Sequence, residues 1–319
     1  MKPLCIYHGN CADGFGAAWA VWKALGDEVE FFPGVYGEPP PQVAGADVIM
    51  VDFSYKRPVL DDMQMVANSL LILDHHKTAA EDLRDFPKPR PGWGEHLGYL
   101  GATGQSHICA LFDMDRSGAV MAWEFFHPGK PVPRLLQHVQ EWDLWLFKLP
   151  ETREILAAVF SHPYEFARWS TLVTMAQTMD GIGQLRAEGE AIERKHHKDI
   201  AELVPVTVRA MTIGGHVVHV ANLPYTLASD AGNKLAREGS GLFGATYYDG
   251  TDKRFFSLRS VGDFDVSAIA KQYGGGGHKN AAGFFMPLGW EGDTVPAGRR
   301  MRPDAARQRC RASRRSSAA

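Results

Sequence analysis

Histidine and aspartate side chains that could bind cations follow short apolar runs in the first quarter of the sequence. They are His8, Asp52, Asp74, His75 and His76, and the runs begin at residues 4, 48 and 70. Carboxylates and imidazoles suit Mn²⁺, and a bridging carboxylate can hold two ions about 3.5 to 4 Å apart. Such a pair polarises a phosphoryl group and lowers the pKa of a bound water, so these residue types point to metal-assisted phosphoryl chemistry.

The apolar runs also predict the elements that must position these side chains. Uninterrupted runs of four apolar residues are typical of strands buried on both faces of a parallel sheet. Ligands of open α/β sheets bind in the crevice beyond the carboxyl ends of the strands. Asp13 begins a predicted helix over Asp13–Leu25 and should lie in the same crevice. The sequence therefore predicts an α/β fold with a doubly wound parallel sheet at its N-terminus.

The rest of the first half adds one more candidate ligand. We expect a strand over Glu28–Phe32, a turn or loop over Pro33–Gln42 and an irregular, Pro- and Gly-rich excursion over Phe86–Gly104. A helix over Pro133–Trp142 would deliver Asp143.

The second half indicates a smaller domain. Gly181–Leu203 predicts a long connecting helix that Pro205 stops, and strand patterns return from Val206 onward, including a hairpin at Gly214-Gly215. We therefore expect a metal-binding domain over 1–180, a helical linker over 181–204, a smaller α/β mixed-sheet domain over 205–290 and a disordered Arg-rich tail over 291–319.

Charge and cysteine usage narrow the class of protein. The net charge of the chain is −3. Residues 291–319 contain eight Arg and three acidic residues and so carry +5, which leaves −8 on residues 1–290. An acidic body argues against extended duplex binding. The four cysteines form no CxxC pair, which favours reduced thiols over disulfides or a zinc ribbon. With no apolar run of about 18 residues and no signal-peptide pattern, we expect a soluble, cytoplasmic protein.

Two strings carry a resemblance to a known family. Asp74-His75-His76, preceded by Asp52 and by His8 with Asp13-Gly14, resembles the DHH phosphoesterase superfamily. The string YGGGGHKNAAGF over 273–284, with FSLRS over 256–260 upstream, is similar to the DHH-associated domain of its nuclease and nucleotide-phosphodiesterase branch. The resemblance covers about residues 4–287 in the expected order.

The resemblance implies two manganese ions, with Mg²⁺ or Co²⁺ as alternative metals. Asp52 would bridge them, His8 would bind the first ion, and Asp13, His75 and Asp143 the second. Asp113 and Asp115 compete with Asp143 for its role. The catalytic pair would be His76, beside the scissile phosphate, and Asp74, which would orient it.

The first motif departs from the family pattern. The family usually has two aspartates after the histidine, whereas only Asp13 is present here, and Asn10 or Cys11 stands where the other would fall. A thiolate would be an unusual manganese ligand and an amide would add no charge. The first site is therefore expected to bind metal weakly or only with substrate.

The C-terminal string predicts a phosphate clamp. Four consecutive glycines, Gly274 to Gly277, allow several backbone N–H groups to face one anion, and His278 adds a side-chain donor. Arg259 could contact a phosphate in a bidentate manner. The predicted substrate-binding residues are Arg259, Gly275, Gly276, Gly277 and His278.

Together these features predict a metal-dependent hydrolase that cleaves phosphodiester bonds of short oligoribonucleotides or dinucleotides. Two alternatives stay open: a phosphatase of 3′-phosphorylated nucleotides such as pAp, and a nucleotide-binding sensor with a degenerate metal site. The oligomeric state is also open, with a homodimer among the possibilities. No membrane partner is expected.

Overall fold

The computed structural model describes residues 2–9, 11–103, 107–239 and 241–294. Its first half contains β1 (Leu4–His8), α1 (Ala12–Leu25), β2 (Glu30–Gly34), β3 (Asp47–Val51), α2 (Arg57–Gln64), β4 (Ser69–Asp74), α3 (Lys77–Asp82), α4 (Trp93–Thr103), β5 (His107–Phe112), α5 (Gly118–Phe126) and α6 (Arg134–Asp143). Its second half contains α7 (Thr152–Phe160), α8 (Phe166–Ala176), α9 (Met179–Thr207), β6 (Val208–Ile213), β7 (His216–Asn222), α10 (Ala228–Glu238), β8 (Phe243–Asp249), β9 (Lys253–Ser260), α11 (Val266–Gln272), β10 (Gly276–Gly277) and β11 (Ala281–Pro287).

The first sheet is parallel throughout, with strand order β2-β1-β3-β4-β5. Ile49 and Val51 of β3 belong to one apolar core, while Val48 and Met50 belong to another on the opposite face. Because helices cover both faces, alternate residues are buried on either side, which is why the strand sequences are uninterrupted apolar runs.

The second sheet is mixed, with strand order β10-β11-β9-β8-β7-β6 and a parallel pair at β7 and β8. On one face, Ile269 and Ala270 of α11 pack with Phe256 and Leu258. On the other face, α9 and α10 form a separate apolar cluster that includes Leu235. The chain is thus an α/β protein with a parallel N-terminal sheet and a mixed C-terminal sheet, as predicted.

Three local predictions differ from the structure. The segment expected to be irregular contains helix α4, where Trp93 packs against Phe126 at 5.2 Å between ring centroids. The prediction there was wrong because tertiary packing outweighs the low helix propensity of glycine. Strand β2 begins two residues later than expected and includes Pro33, which an edge strand tolerates. Helix α9 continues past Pro205 because hydrogen bonding resumes beyond it, from the Val208 N–H to the Val204 carbonyl.

The predicted domain boundaries remain a prediction. At the start of the predicted tail, Glu291 pairs with Arg209 and Arg254, and Asp293 accepts a hydrogen bond from the Tyr273 hydroxyl at 2.8 Å. Residues 295–319, which include most of that tail, lie outside the described residues. None of the described helices is both long enough and apolar enough to cross a membrane.

Candidate active site

The carboxyl ends of the parallel strands bring distant residues around one imidazole. The Nε2 atom of His75 lies 3.0 Å from Asp52 Oδ1, 3.5 Å from Asp13 Oδ2 and 3.4 Å from Asp143 Oδ2. Asp13, Asp52 and His75 are each only 1% exposed. The structure therefore unites the four residues assigned by resemblance to the second metal ion, although they span 130 positions of sequence from Asp13 to Asp143.

Asp13 is held in this cluster by the start of helix α5. Its Oδ2 accepts a hydrogen bond from the Gly118 N–H at 2.6 Å, and its Oδ1 accepts one from the Ala119 N–H at 3.0 Å. These N–H groups have no partner within their own helix, and the positive helix end favours a carboxylate. Gly118 must be a glycine here, since a Cβ atom would lie 2.4 Å from the Asp52 Cβ.

His8 and His76 form the other side of the cluster. His8 Nδ1 lies 3.5 Å from Asp52 Oδ2. Donor atoms of His8, Asp52 and His76 lie within 4.8 Å of one another, as do donor atoms of Asp13, Asp52 and His75. Asp52 belongs to both groups, which is the position of a bridging ligand. His76, expected beside the scissile phosphate, thus lies next to the residues that would hold the first ion.

Asp74 fixes the direction of the two adjacent histidines. Its Oδ1 atom accepts hydrogen bonds from the His75 N–H at 2.8 Å and the His76 N–H at 3.3 Å, and lies 2.7 Å from His76 Nδ1. Asp74 is fully buried. This contact leaves Nε2 as the imidazole nitrogen of His76 that can contact a substrate.

The cluster holds more negative charge than its histidines neutralise. Burial, together with the charges of Asp52 and Asp143, raises the pKa of Asp13 well above its usual value. Burial also raises the pKa of Asp143, with Asp52 adding to it. Burial alone would raise the pKa of Asp52 too, but hydrogen bonds with His75 and His8 outweigh it and the pKa is lowered. The ionised forms of Asp13 and Asp143 are thus destabilised, and a bound cation would stabilise them.

Unpaired polar atoms in the cluster fit a cation site. Among the described residues, Asp52 Oδ2, Asp143 Oδ2 and His75 Nδ1 are buried without a well-formed hydrogen bond, and the two oxygens have only the long contacts to His8 and His75 at 3.5 and 3.4 Å. Buried polar atoms are normally paired, so oxygen atoms left unpaired in an acidic cluster are what a divalent ion would complete. Carboxylate and imidazole donors suit Mn²⁺, Mg²⁺ or Co²⁺ in the roles expected from the sequence.

The competitors for the role of Asp143 lie elsewhere. The Asp113 carboxylate accepts hydrogen bonds from Arg116 Nε at 2.8 Å and from the Asp115 N–H at 2.9 Å, and the side chain of Asp115 is exposed. Asp143 ends α6, and both Trp145 and Phe147 after it have positive φ angles of 57° and 50°. The chain therefore turns sharply just beyond Asp143.

The departure in the first motif is described in part. Asn10 lies outside the described residues. Cys11 directly precedes α1, and burial, with the charges of Asp52 and Asp143, raises the pKa of its thiol well above the usual value. A protonated thiol is a poor ligand for manganese, which agrees with the expectation that this position adds no charge to the site.

The second sheet closes over the cluster through His278. The His278 ring stacks on His76 at 4.6 Å between centroids and lies 4.6 Å from His75. Lys77 pairs with Asp265, and Lys56 Nζ donates to the Gly274 carbonyl at 2.8 Å. The residues of both sheets therefore form one cleft.

The glycine string has a different local role from the one expected. The Gly275 N–H donates to the Ala270 carbonyl at 3.0 Å, and the Gly277 N–H donates to Thr78 Oγ1 at 3.1 Å. Both amides are thus bonded within the protein, and their binding of a substrate phosphate stays a prediction. A Cβ atom at Gly276 would lie 2.6 Å from Thr78 Oγ1, so glycine permits close approach of the two domains.

Arg259 enters the same cleft from β9. Its guanidinium donates to the Ser229 hydroxyl at 2.9 Å and to the Leu258 carbonyl at 2.9 Å. Burial lowers the pKa of Arg259 to about 10, although the negative charges of Asp143 and Asp230 act to raise it. Arg259 is therefore still a cation at neutral pH. A buried cation with incomplete pairing is suited to binding a phosphate.

Tyr36 is a cleft residue that sequence reasoning missed. As the sequence pattern predicts, Tyr36 lies in a loop, two residues beyond the end of β2. Its ring lies 5.2 Å from the ring of His8 and 6.0 Å from that of His76. The ring is 46% exposed. Its position after the end of a parallel strand, shared with His8 and Asp52, was the available signal.

The chain is similar to several known proteins. Residues 220–293 match the DHHA1 domain model. The chain is 36% identical over 235 residues to oligoribonuclease NrnB of Bacillus subtilis, covering 70% of this chain and 54% of that protein. It is 29% identical over 303 residues to the uncharacterized protein R106 of Acanthamoeba polyphaga mimivirus, covering 88% of this chain and 66% of that one. The RecJ structure from Thermus thermophilus aligns with a TM-score of 0.43 at 15% identity, covering 89% and 49%.

The chain spans about half to two thirds of the length of these two curated relatives. These matches, together with the Asp74-His75-His76 motif, support membership of the DHH phosphoesterase superfamily, and residues 220–293 match its DHHA1 domain.

Proposed function

We propose that the protein is a divalent-metal-dependent hydrolase that cleaves phosphodiester bonds of short oligoribonucleotides. The observation that carries the proposal is the meeting of three carboxylates with the His75 imidazole, 3.0 to 3.5 Å apart, directly beneath His278 of the second sheet. A cation-binding cluster facing a phosphate-binding side chain is the arrangement that phosphoryl transfer requires.

Two Mn²⁺ ions are the proposed cofactor, with Asp52 shared between them. His8 would complete the first site, and Asp13, His75 and Asp143 the second; His76 is kept for the substrate, because only its Nε2 atom is free of Asp74. When bound, such ions polarise phosphoryl oxygens and make a water acidic enough to attack near neutral pH.

The protein side chains bind and orient the substrate. His76 is directed by Asp74, so its Nε2 atom is available to the reacting phosphate. Arg259, whose guanidinium is a cation at neutral pH, would bind a phosphate oxygen from the opposite wall of the cleft, and His278 would lie between these groups. Buried donors of this kind are effective because water does not compete for the anion.

The substrate class is inferred from the cleft and from the relatives. A cleft bounded by two domains favours short chains, and residues 1–290 carry a net charge of −8, which disfavours long nucleic acids. The relative from Bacillus subtilis is named an oligoribonuclease. The cytoplasmic location expected from the sequence stays a prediction.

A hydrolysis panel tests the proposal. The purified protein with Mn²⁺ is offered a ribodinucleotide, a pentaribonucleotide, a cyclic dinucleotide, pAp and pyrophosphate, with Asp52→Ala as the control. Hydrolysis of the two linear RNA substrates by the wild type alone is the expected result. Selective phosphate release from pAp would make the protein a nucleotide phosphatase, and silence with retained nucleotide binding would make it a sensor.

A further inference from the structure

Four aromatic side chains form a partly exposed row along one face of the second sheet. They are Tyr225, Tyr248, Phe255 and Phe285, here called the aromatic row. Successive ring centroids lie 5.8, 5.1 and 6.3 Å apart. Tyr248 and Phe285 lie directly opposite Phe255 on the two neighbouring strands. The row therefore crosses β8, β9 and β11 as one continuous surface.

The row continues the face that carries the proposed phosphate-binding arginine. Alternate residues of a strand share a face, so Phe255, Ser257 and Arg259 all lie on the same side of β9. Four residues of strand separate Phe255 from Arg259 by about 13 Å. Helix α10 packs over the Arg259 end of this face, since a Cβ atom at Gly232 would lie 2.8 Å from Arg259 Cγ.

The other end of the row reaches the mouth of the candidate active site. A Cβ atom at Gly37 would lie 3.1 Å from the Phe285 ring, which brings the chain next to Tyr36 against that strand. Lys253 Nζ lies 4.9 Å from the centroid of the Phe285 ring. The row thus carries a cation beside its aromatic surface, Lys253, which also lies 3.8 Å from Glu38 Oε1. Its Phe285 end adjoins the chain next to Tyr36.

Sheet stability accounts for the pairing of these rings but not for their exposure. Cross-strand aromatic pairs stabilise sheets even where both rings are covered. Here Tyr225 is 60% exposed and Phe285 is 37% exposed. Contiguous exposed apolar surface on a domain marks a binding site, and flat rings beside a cation are what unpaired nucleic acid bases stack on.

We propose that the aromatic row is a base-stacking site for the nucleotides of a single-stranded oligonucleotide that extend beyond the scissile phosphate. The proposal rests on the proposed function, because it takes a substrate phosphate to lie at Arg259. It makes length a determinant of specificity: a dinucleotide is held mainly by the metal cluster and clamp, whereas a longer chain gains from each base that stacks.

The test compares two substrate lengths in a double variant, Phe255→Leu with Phe285→Leu. Leucine keeps apolar bulk but removes the ring on which a base can stack. We expect the ratio of kcat/KM for a pentaribonucleotide to that for a dinucleotide to fall by about 5- to 150-fold per lost stacking contact. Phe255→Tyr with Phe285→Tyr should restore the ratio, and Phe86→Leu, on a half-buried ring of the first domain, should leave it at the wild-type value.

Direct binding separates failure of this proposal from failure of the proposed function. Calorimetry with both RNA lengths, with Ca²⁺ replacing Mn²⁺, measures affinity whether or not any substrate is hydrolysed. Weaker pentaribonucleotide binding by the leucine variant, with a smaller change for the dinucleotide, supports the stacking site. Equal losses for both lengths would mean a purely structural role and overturn the proposal. Unchanged affinity for the pentaribonucleotide would also overturn it. If the variant then loses a dimer that the wild type forms on size-exclusion chromatography, the row is a contact between two copies of the chain.

Discussion

Gly118→Ala is expected to disrupt the metal cluster without removing any of its ligands. The new Cβ atom would lie 2.4 Å from the Asp52 Cβ, 2.8 Å from the Asp52 Cγ and 2.9 Å from Asp13 Oδ2. All three distances are too short for van der Waals contact, and the neighbours are buried. Overpacking of this kind costs about 1 to 3 kcal/mol of the free energy of unfolding. The clash also pushes the proposed bridging ligand away from its position.

The same substitution should weaken metal binding more than it weakens the fold. Displacing groups that orient metal ligands typically reduces metal affinity by about 10- to 100-fold. Urea unfolding in the presence of EDTA measures the change in stability, and calorimetric titration with MnCl₂ measures the affinity.

Gly183→Ala is the matched control. Gly183 lies in helix α9, and none of the described residues comes within 4 Å of the point that a Cβ atom would occupy there. Alanine should therefore stabilise the helix by about 0.5 to 1 kcal/mol and leave Mn²⁺ affinity at its wild-type value. The reasoning is refuted if Gly118→Ala unfolds and binds Mn²⁺ as the wild type does.

Three further outcomes are expected. Asp74→Asn should reduce kcat by about 10- to 100-fold with the fold intact, because it misdirects His76, and an unchanged kcat would contradict that role. Arg153→Met should lower the free energy of unfolding by about 1 to 3 kcal/mol in urea denaturation, since Arg153 lies 2.9 Å from the buried Asp230 carboxylate, which then keeps His196 as its remaining partner; equal midpoints would count against it. Burial would raise the pKa of Asp230, but His196 and Arg153 outweigh it and the pKa is lowered, so its carboxylate stabilises the fold above about pH 4 and loses that effect as the pH falls further. Unfolding of Asp230→Asn followed from pH 6 to pH 3 should therefore converge on the wild type, and a constant difference would exclude the linkage.

The fold class and the crevice could be predicted because buried parallel strands leave a strong local pattern. Each apolar run of four residues ends at a polar side chain, and the geometry of a parallel sheet carries those ends to one edge. His8, Asp52 and His75 follow from this argument alone. Asp143 needed the family resemblance, since it comes from the end of a helix and no strand pattern leads to it.

What sequence could not supply are the features that depend on tertiary contact. The Gly275 and Gly277 amides were expected to bind an anion. In the structure the Ala270 carbonyl of α11 accepts a hydrogen bond from Gly275, and the Thr78 hydroxyl accepts one from Gly277. The aromatic row could not be recognised because exposure is a property of the folded surface. Helix α4 was missed because its glycines have low helix propensity, and the packing of Trp93 against Phe126 that stabilises it cannot be seen in the sequence.

The most direct test of the two-metal site is anomalous diffraction from crystals soaked in MnCl₂. The account predicts two anomalous peaks that both contact Asp52, one reached also by His8 and the other by Asp13 and His75. Peaks that do not contact Asp52 would contradict it. So would the absence of any peak at saturating Mn²⁺ in crystals where the cleft is ordered and open to solvent.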